Sequence, residues 1–113
     1  VAVVTEASGF TLHGTAIGHG GRWSAFGIAY GSSPGFSFLN ATIPLNLDPL
    51  LQVFLGLPAS IVLLPAEGYR SLRVAMPSAN PLSGVPLYAA HVILDLNTLT
   101  IPGLSSALPF VLP

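Results

Sequence analysis

Apolar and polar residues alternate with a period of two along several short stretches of this chain. In Leu87 to Leu96 the set Tyr88, Ala90, Val92, Leu94 and Leu96 is wholly apolar, while the intervening set carries His91 and Asp95. Such alternation sends successive side chains to opposite faces of a strand, so the first set is expected to face a core and the second the outside. Arg70 to Met76 reads the same way, with Leu72, Val74 and Met76 opposed to Ser71, Arg73 and Ala75. Eleven prolines and twelve glycines interrupt the sequence before an amphipathic helical stripe can extend far. Strands are therefore expected over Val1 to Thr5, Phe10 to Ile17, Arg22 to Tyr30, Phe36 to Leu39, Leu51 to Leu55, Ser60 to Leu64, Arg70 to Met76, Leu87 to Asp95 and Ala107 to Leu112. Short strands at regular spacing predict an all-β fold: one antiparallel β-sandwich of jelly-roll or Ig-like type over residues 1–113, with no substantial helix. Residues 1–8 read as an extension or donor strand of that domain.

Two stretches depart from one-sided patterning. Ile61 to Leu64 and much of Leu50 to Leu57 are apolar on both sides, as in strands covered on two faces. A chain of 113 residues is expected to afford one hydrophobic core and not two. The second apolar face is then expected to be covered by a loop, a ligand or another subunit. Pro44 and Pro109 each remove a ladder donor from a strand-like run, which marks an edge or a bulge. Pro49 to Ala66 holds no ionised residue and approaches the length of a bilayer-spanning helix. Gly56 and Pro58 break it into short pieces, and the scattered aromatics do not make the girdles of an outer-membrane barrel. No membrane span is expected.

Charge changes the picture most. Glu6, Arg22, Asp48, Glu67, Arg70, Arg73 and Asp95 are the only ionised side chains, 6% of the residues against a usual share of about 25%. There is no lysine. Spread over the roughly 5,800 Å² expected for this mass, that is about one charge per 800 Å², the footprint one partner contributes to a standard interface. Three arginines and a net charge of −1 exclude nucleic acid as a partner, because counterion release needs a basic surface. A hydrophobic content of 51% excludes disorder, and the absence of cysteine excludes disulfides and thiolate metal sites. The missing initiator Met suggests a processed chain, and a signal peptide is expected to be either absent or already removed.

The second half has a recognisable pattern. Leu87-Tyr88-Ala89-Ala90-His91-Val92-Ile93-Leu94-Asp95, followed by Leu99-Thr100 and Leu104-Ser105-Ser106-Ala107-Leu108-Pro109-Phe110, resembles a C-terminal β-sandwich module of secreted planctomycete and myxobacterial proteins. In that module an "LY-Q-A-x-V-L-D" strand precedes a turn and an "LSNAL" final strand. The resemblance covers about Leu50 to Leu112, with Ala89 in place of the usual glutamine and Ser106 in place of the usual asparagine. It implies a small secreted, extracellular β-sandwich and transfers no catalytic residue.

Candidate chemistry is sparse. Gly31-Ser32-Ser33-Pro34-Gly35 fits the G-x-S-x-G nucleophile elbow, but the elbow takes an oxyanion donor from the N–H after the serine and Pro34 has none. His13, His19 and His91 would have to converge to hold a metal, and they lack short fixed spacing and carboxylate neighbours. Glu6, Asp48, Glu67 and Asp95 stand apart, whereas glycoside hydrolysis needs two facing carboxylates. Asn46-Leu47-Asp48 and Asp95-Leu96-Asn97 offer oxygens, but too few for calcium, and read as Asx turns. Glu67, Arg70 and Arg73 read as a solvated cluster or a contact between subunits. No enzyme activity, cofactor or metal is expected.

The expected function is that of a structural subunit of an extracellular self-assembling filament or tube, whose partners are copies of itself. Apolar interfaces would join the copies, together with β-strand addition. Val1, Val3, Val4 and Thr5 form the preferred donor strand, and Leu108, Phe110 and Leu112 the alternative one. The runner-up is a carbohydrate-binding or adhesive module of a larger secreted protein, with Trp23 and Tyr30 as sugar platforms and glycans as partners. Asn40-Ala41-Thr42 is an N-glycosylation sequon at Asn40.

Overall fold

The computed structural model describes residues 1–6, 8–77 and 81–113 of the chain. The turn expected over Ser78 to Val85 and the extension expected over residues 1–8 therefore lie partly outside the described residues. The elements run in the order β1 (Ala2–Glu6), β2 (Gly9–Thr15), β3 (Trp23–Ala29), β4 (Phe36–Phe38), β5 (Ala41–Ile43), α1 (Pro49–Leu55), β6 (Ile61–Leu63), β7 (Tyr69–Ala75), β8 (Pro86–Asp95), β9 (Thr100–Leu104) and β10 (Leu108–Val111). The fold is all-β and sandwich-like. One sheet has the order β1-β2-β7 and the other β10-β8-β3-β6, with β9 also on β8. Strands β4 and β5 form a separate hairpin, and all strand pairs are antiparallel.

Period-two patterning places the inner core where the two sheets meet. Phe10 and Leu12 of β2, Phe26 and Ile28 of β3, and Leu87 and Ala89 of β8 are buried together with Phe54 and Leu112. Leu72, Val74 and Met76 pack against them, as the alternation in β7 requires. The Phe10 and Phe110 rings meet at 5.6 Å.

A second core lies on the opposite face of the larger sheet. Ala25 and Ala29 of β3 and Ala90 and Val92 of β8 are buried with Ile43, Leu45, Leu51 and Ile101. The expectation of a single core is thus corrected. The β4–β5 hairpin, the following segment and one short helix suffice as a third layer, because each contributes only one to three side chains to it. Tyr88 and Leu94 pack against this second cluster, while Leu87, Ala89, His91 and Ile93 are also buried. Both faces of β8 are therefore covered, and its His91 face is interior.

The strand expected over Leu51 to Leu55 is instead helix α1, a short helix of seven residues, in keeping with the expectation of no substantial helix. Asp48 is its N-cap, with Oδ1 accepting from the Leu51 N–H at 3.0 Å, and Pro49 takes a first-turn position where a missing N–H costs nothing. Within the helix Leu51 and Phe54 are buried, the spacing of one helical face. Strand β9 contains Pro102 and Gly103, and it tolerates them as an edge strand paired on one side with β8. No helix among the described residues is long and apolar enough to cross a membrane.

Candidate functional site

The third layer covers its core incompletely. Between the β4–β5 hairpin, α1 and the outer face of β3, β6 and β8 lies a half-open cleft of about 220 Å³. Its walls are Phe36, Phe38, Ile43, Leu45 and Leu47 on the hairpin side, Leu51 and Leu55 on α1, Ile61 on β6, and Val92 and Leu94 on β8. Among the described residues no polar side chain lines it. Apolar residues at its mouth remain open to solvent, with Phe38 47%, Leu47 57% and Ile61 40% exposed. Apolar on its walls and open on one side, the cleft suits an apolar guest more than water.

Local hydrogen bonds hold its walls in place. Asp48 caps α1 with one carboxylate oxygen and with the other accepts from the Tyr30 N–H at 2.8 Å. Asn46 Oδ1 accepts from the Gly35 N–H at 3.0 Å, and the Asn46 N–H donates to the Gly31 carbonyl at 2.8 Å. Gly27 on β3 lies directly beneath α1, where an added Cβ would stand 2.7 Å from Leu45 Cδ1 and 3.0 Å from Leu51 Cδ1. Only glycine permits that approach.

Behind this sheet, in the inner core, sits a buried polar network. Arg70 is only 8% exposed. Its Nε donates to Ser24 Oγ at 2.7 Å, its Nη1 to the Ala59 carbonyl at 2.8 Å, and its Nη2 to the Ser24 and Ser60 carbonyls at 2.9 and 2.7 Å. Ser24 Oγ also lies 2.6 Å from His91 Nε2; its hydroxyl proton has no other acceptor among the described residues, so it is donated to Nε2, which leaves the imidazole proton on Nδ1. No carboxylate takes part. Burial holds the guanidinium down at about 10. Burial, then the Arg70 charge and the N-terminal amine, push His91 down to about 4. The expected solvated or intersubunit role of Arg70 is corrected: it shares the parity of Leu72, Val74 and Met76 on β7 and points inward with them. The Ser24–His91 contact resembles a nucleophile and its base, but Ser24 is 0% exposed and its hydroxyl is used on both sides. It offers no face to a substrate.

The histidines do not converge. His13 Nδ1 bonds Tyr69 OH at 2.7 Å on the smaller sheet, while His19 Nδ1 accepts from Arg22 Nη1. His19 and His91 share one surface cavity without His13, and among the described residues no group of three His, Cys, Asp or Glu could hold a metal. Trp23 and Tyr30 do not form a joint platform. They stand at opposite ends of β3, about 23 Å apart at strand rise, and their odd offset directs them to opposite faces. Asn40 is exposed, and its Oδ1 accepts from the Ile101 N–H at 2.6 Å.

The two terminal segments differ in how firmly they are held. Val1 and Val3 pack on the inner core, and β1 pairs with β2 from Ala2↔His13 to Glu6↔Gly9, but Ala2, Val4, Thr5 and Glu6 are exposed. At the other end Leu112 is buried and Phe110 packs on the core, while β10 pairs with β8 over Leu108–Val111. Sequence patterning missed the cleft because Pro44 obscured a run in which Ile43, Leu45 and Leu47 alternate with Pro44 and Asn46. No known protein family, curated protein or solved structure matches the chain.

Proposed function

We propose that the chain is a structural subunit that assembles with copies of itself through apolar surface, in the extracellular setting implied by the module it resembles. The open apolar cleft on the outer face of the larger sheet carries this reading. Phe38, Leu47 and Ile61 leave apolar area in water at its mouth, and a partner side chain seated there would complete the second core. The occupant is a second copy, since the same chain projects apolar residues from its turns. Ile17 is 81% exposed, and Leu96 and Leu99 are 56% and 63% exposed at the β8–β9 turn. A socket on one surface and a knob on another form a heterologous contact that propagates instead of closing. Few charges oppose such stacking.

Strand exchange through β1 supplies a second contact. It is an edge strand that, beyond its ladder with β2, is anchored in the core by Val1 and Val3 alone, so less is lost when it moves to a neighbour than when the deeply anchored C-terminal strand does. Analytical ultracentrifugation and negative-stain microscopy of the full chain test the reading. Large periodic particles are expected, and the exposed rim change Leu47→Asp should weaken assembly about hundredfold or more, because it buries a charge in an apolar contact. A full chain that stays monomeric at high concentration overturns the proposal. Deleting Val1 to Thr5 separates the contacts: fibres that persist unchanged refute exchange through β1 and leave the cleft as the joint.

A further inference from the structure

A cavity of about 290 Å³ bridges the two sheets, its wall running from Thr15 at the end of β2 to Ile93 on β8 and Gly103 on β9, and it holds His19 and His91 together. His91 is only 4% exposed. With Nε2 taken by the Ser24 hydroxyl, its ring proton is on Nδ1, and this N–H has no partner among the described residues. Every fully buried side-chain nitrogen or oxygen among those residues does have one. The Nδ1–H group is therefore not sealed in, and it opens into the cavity that His91 lines. We infer that this cavity binds a small aliphatic carboxylate, held by the imidazole N–H groups of His91 and His19.

Both rings are set as donors. Arg22 Nη1 can only donate, so His19 Nδ1 accepts from it and the ring proton stands on Nε2. Gly103 keeps that nitrogen open: a Cβ there would stand 3.1 Å from Ile93 Cγ1 and 3.8 Å from His19 Nε2. Among the described residues no Asp or Glu lines the cavity. Behind His91 stands a cation without a counter-ion, since the described carboxylates pair with Arg22 and Arg73 but not with Arg70. Arg70 Nε–H donates to Ser24 Oγ, whose O–H donates to His91 Nε2. Each donor in such a chain polarises the next, so the positive charge is felt at Nδ1–H, on the cavity side of the ring. An oxyanion accepts there more strongly than a neutral group. Ile17, Ile93 and Leu104 supply apolar wall, which suits a short hydrocarbon tail. The volume, just under the usual small-molecule range of about 300–1,000 Å³, calls for a ligand of few atoms. The site lies on the inner face of β8, away from the apolar cleft.

Isovalerate is the probe, and isovaleramide, of the same shape, is its neutral control. Equilibrium dialysis of the full chain should show saturable uptake of isovalerate with a dissociation constant of about 1 mM or tighter, within what so few atoms can supply. The amide offers N–H donors where the carboxylate offers a second oxygen, and should bind at least about tenfold more weakly. His19→Phe keeps a ring but removes its donor, and should weaken isovalerate binding about tenfold, with circular dichroism confirming that the variant folds. In NMR spectra of the histidine-labelled chain the His91 Nδ1 resonance should move as the site fills. No saturable uptake up to about 20 mM, equal uptake of the amide, or undiminished binding by the His19→Phe chain each overturns the inference. So does a His91 resonance that stays still while isovalerate binds. Dialysis reads free units and fibres alike, so none of these results bears on whether the chain assembles.

Discussion

The Arg70 guanidinium carbon lies 4.2 Å from the centre of the Phe26 ring, stacking a cation from one sheet on an aromatic from the other. His91 meets the same ring at 4.9 Å between centroids. The two sheets are thus joined by more than apolar packing, and the stack fixes the spacing at which the guanidinium reaches its four oxygens. Replacing Arg70 with methionine removes the guanidinium donor from the Ser24 and Ala59 carbonyls and Ser24 Oγ and leaves the Ser60 carbonyl with the Phe26 N–H alone. A loss of about 3 kcal/mol or more is expected, read as a lower midpoint in urea unfolding. Arg70→Lys should recover less than half of this, since an ammonium cannot span the planar fork.

Stability should fall in mildly acidic solution, and the direction follows from His91. The imidazole is held at about 4 in the fold against an ordinary value of 6.5. Above pH 6.5 it is neutral in both states. Between pH 6.5 and 4 the unfolded chain takes up a proton that the folded chain refuses, and the folded state loses about 3 kcal/mol over that window at 1.36 kcal/mol per unit. Below pH 4 this contribution levels off. Urea midpoints measured from pH 4 to 7 should show the slope for the native chain and lack it for His91→Gln.

Gly14 on β2 sits against the same group. A Cβ there would stand 2.8 Å from the His91 ring and 2.8 Å from Phe26 Cε1, and both rings are buried. Gly14→Ala should cost about 1–3 kcal/mol by overpacking, measured as a drop in thermal midpoint at neutral pH.

Asp48 should be worth more than an ordinary surface carboxylate, since it serves α1 and β3 at once. Asp48→Ala is expected to lose about 1–2 kcal/mol, the cost of a helix cap, and to loosen the wall of the apolar cleft. Hydrogen exchange checks it: amides of residues 51–55 should exchange faster while those of β2 and β7 stay protected.

How much of this was legible in the sequence differs from element to element. Alternation and proline–glycine punctuation located most strands, because period two survives any tertiary context. Helix α1 escapes because Leu50 to Leu57, apolar on both sides, reads as a covered strand, although an Asp cap before a first-turn proline is a start signal, and Leu51 and Phe54 follow at helical spacing. Strand β9 escaped because Pro102-Gly103 looks like a break until an edge position excuses it. For Arg70 the signal was present: its parity with Leu72 and Val74 placed it inside, but charge outweighed pattern. His91 needed three-dimensional information, since both parities of β8 are largely apolar and only a third layer decides that neither faces water.

The manner in which Arg70 is accommodated has a bearing on tolerance of brine. Dissolved ions weaken attraction between charges that stand in water, and among the described residues only Arg22–Asp95 and Arg73–Glu6, at 3.5 and 3.6 Å, are of that kind. The central cation is solvated by main-chain oxygens that no electrolyte reaches. A particle assembled from such units should keep its shape from near-pure water to molar sodium chloride.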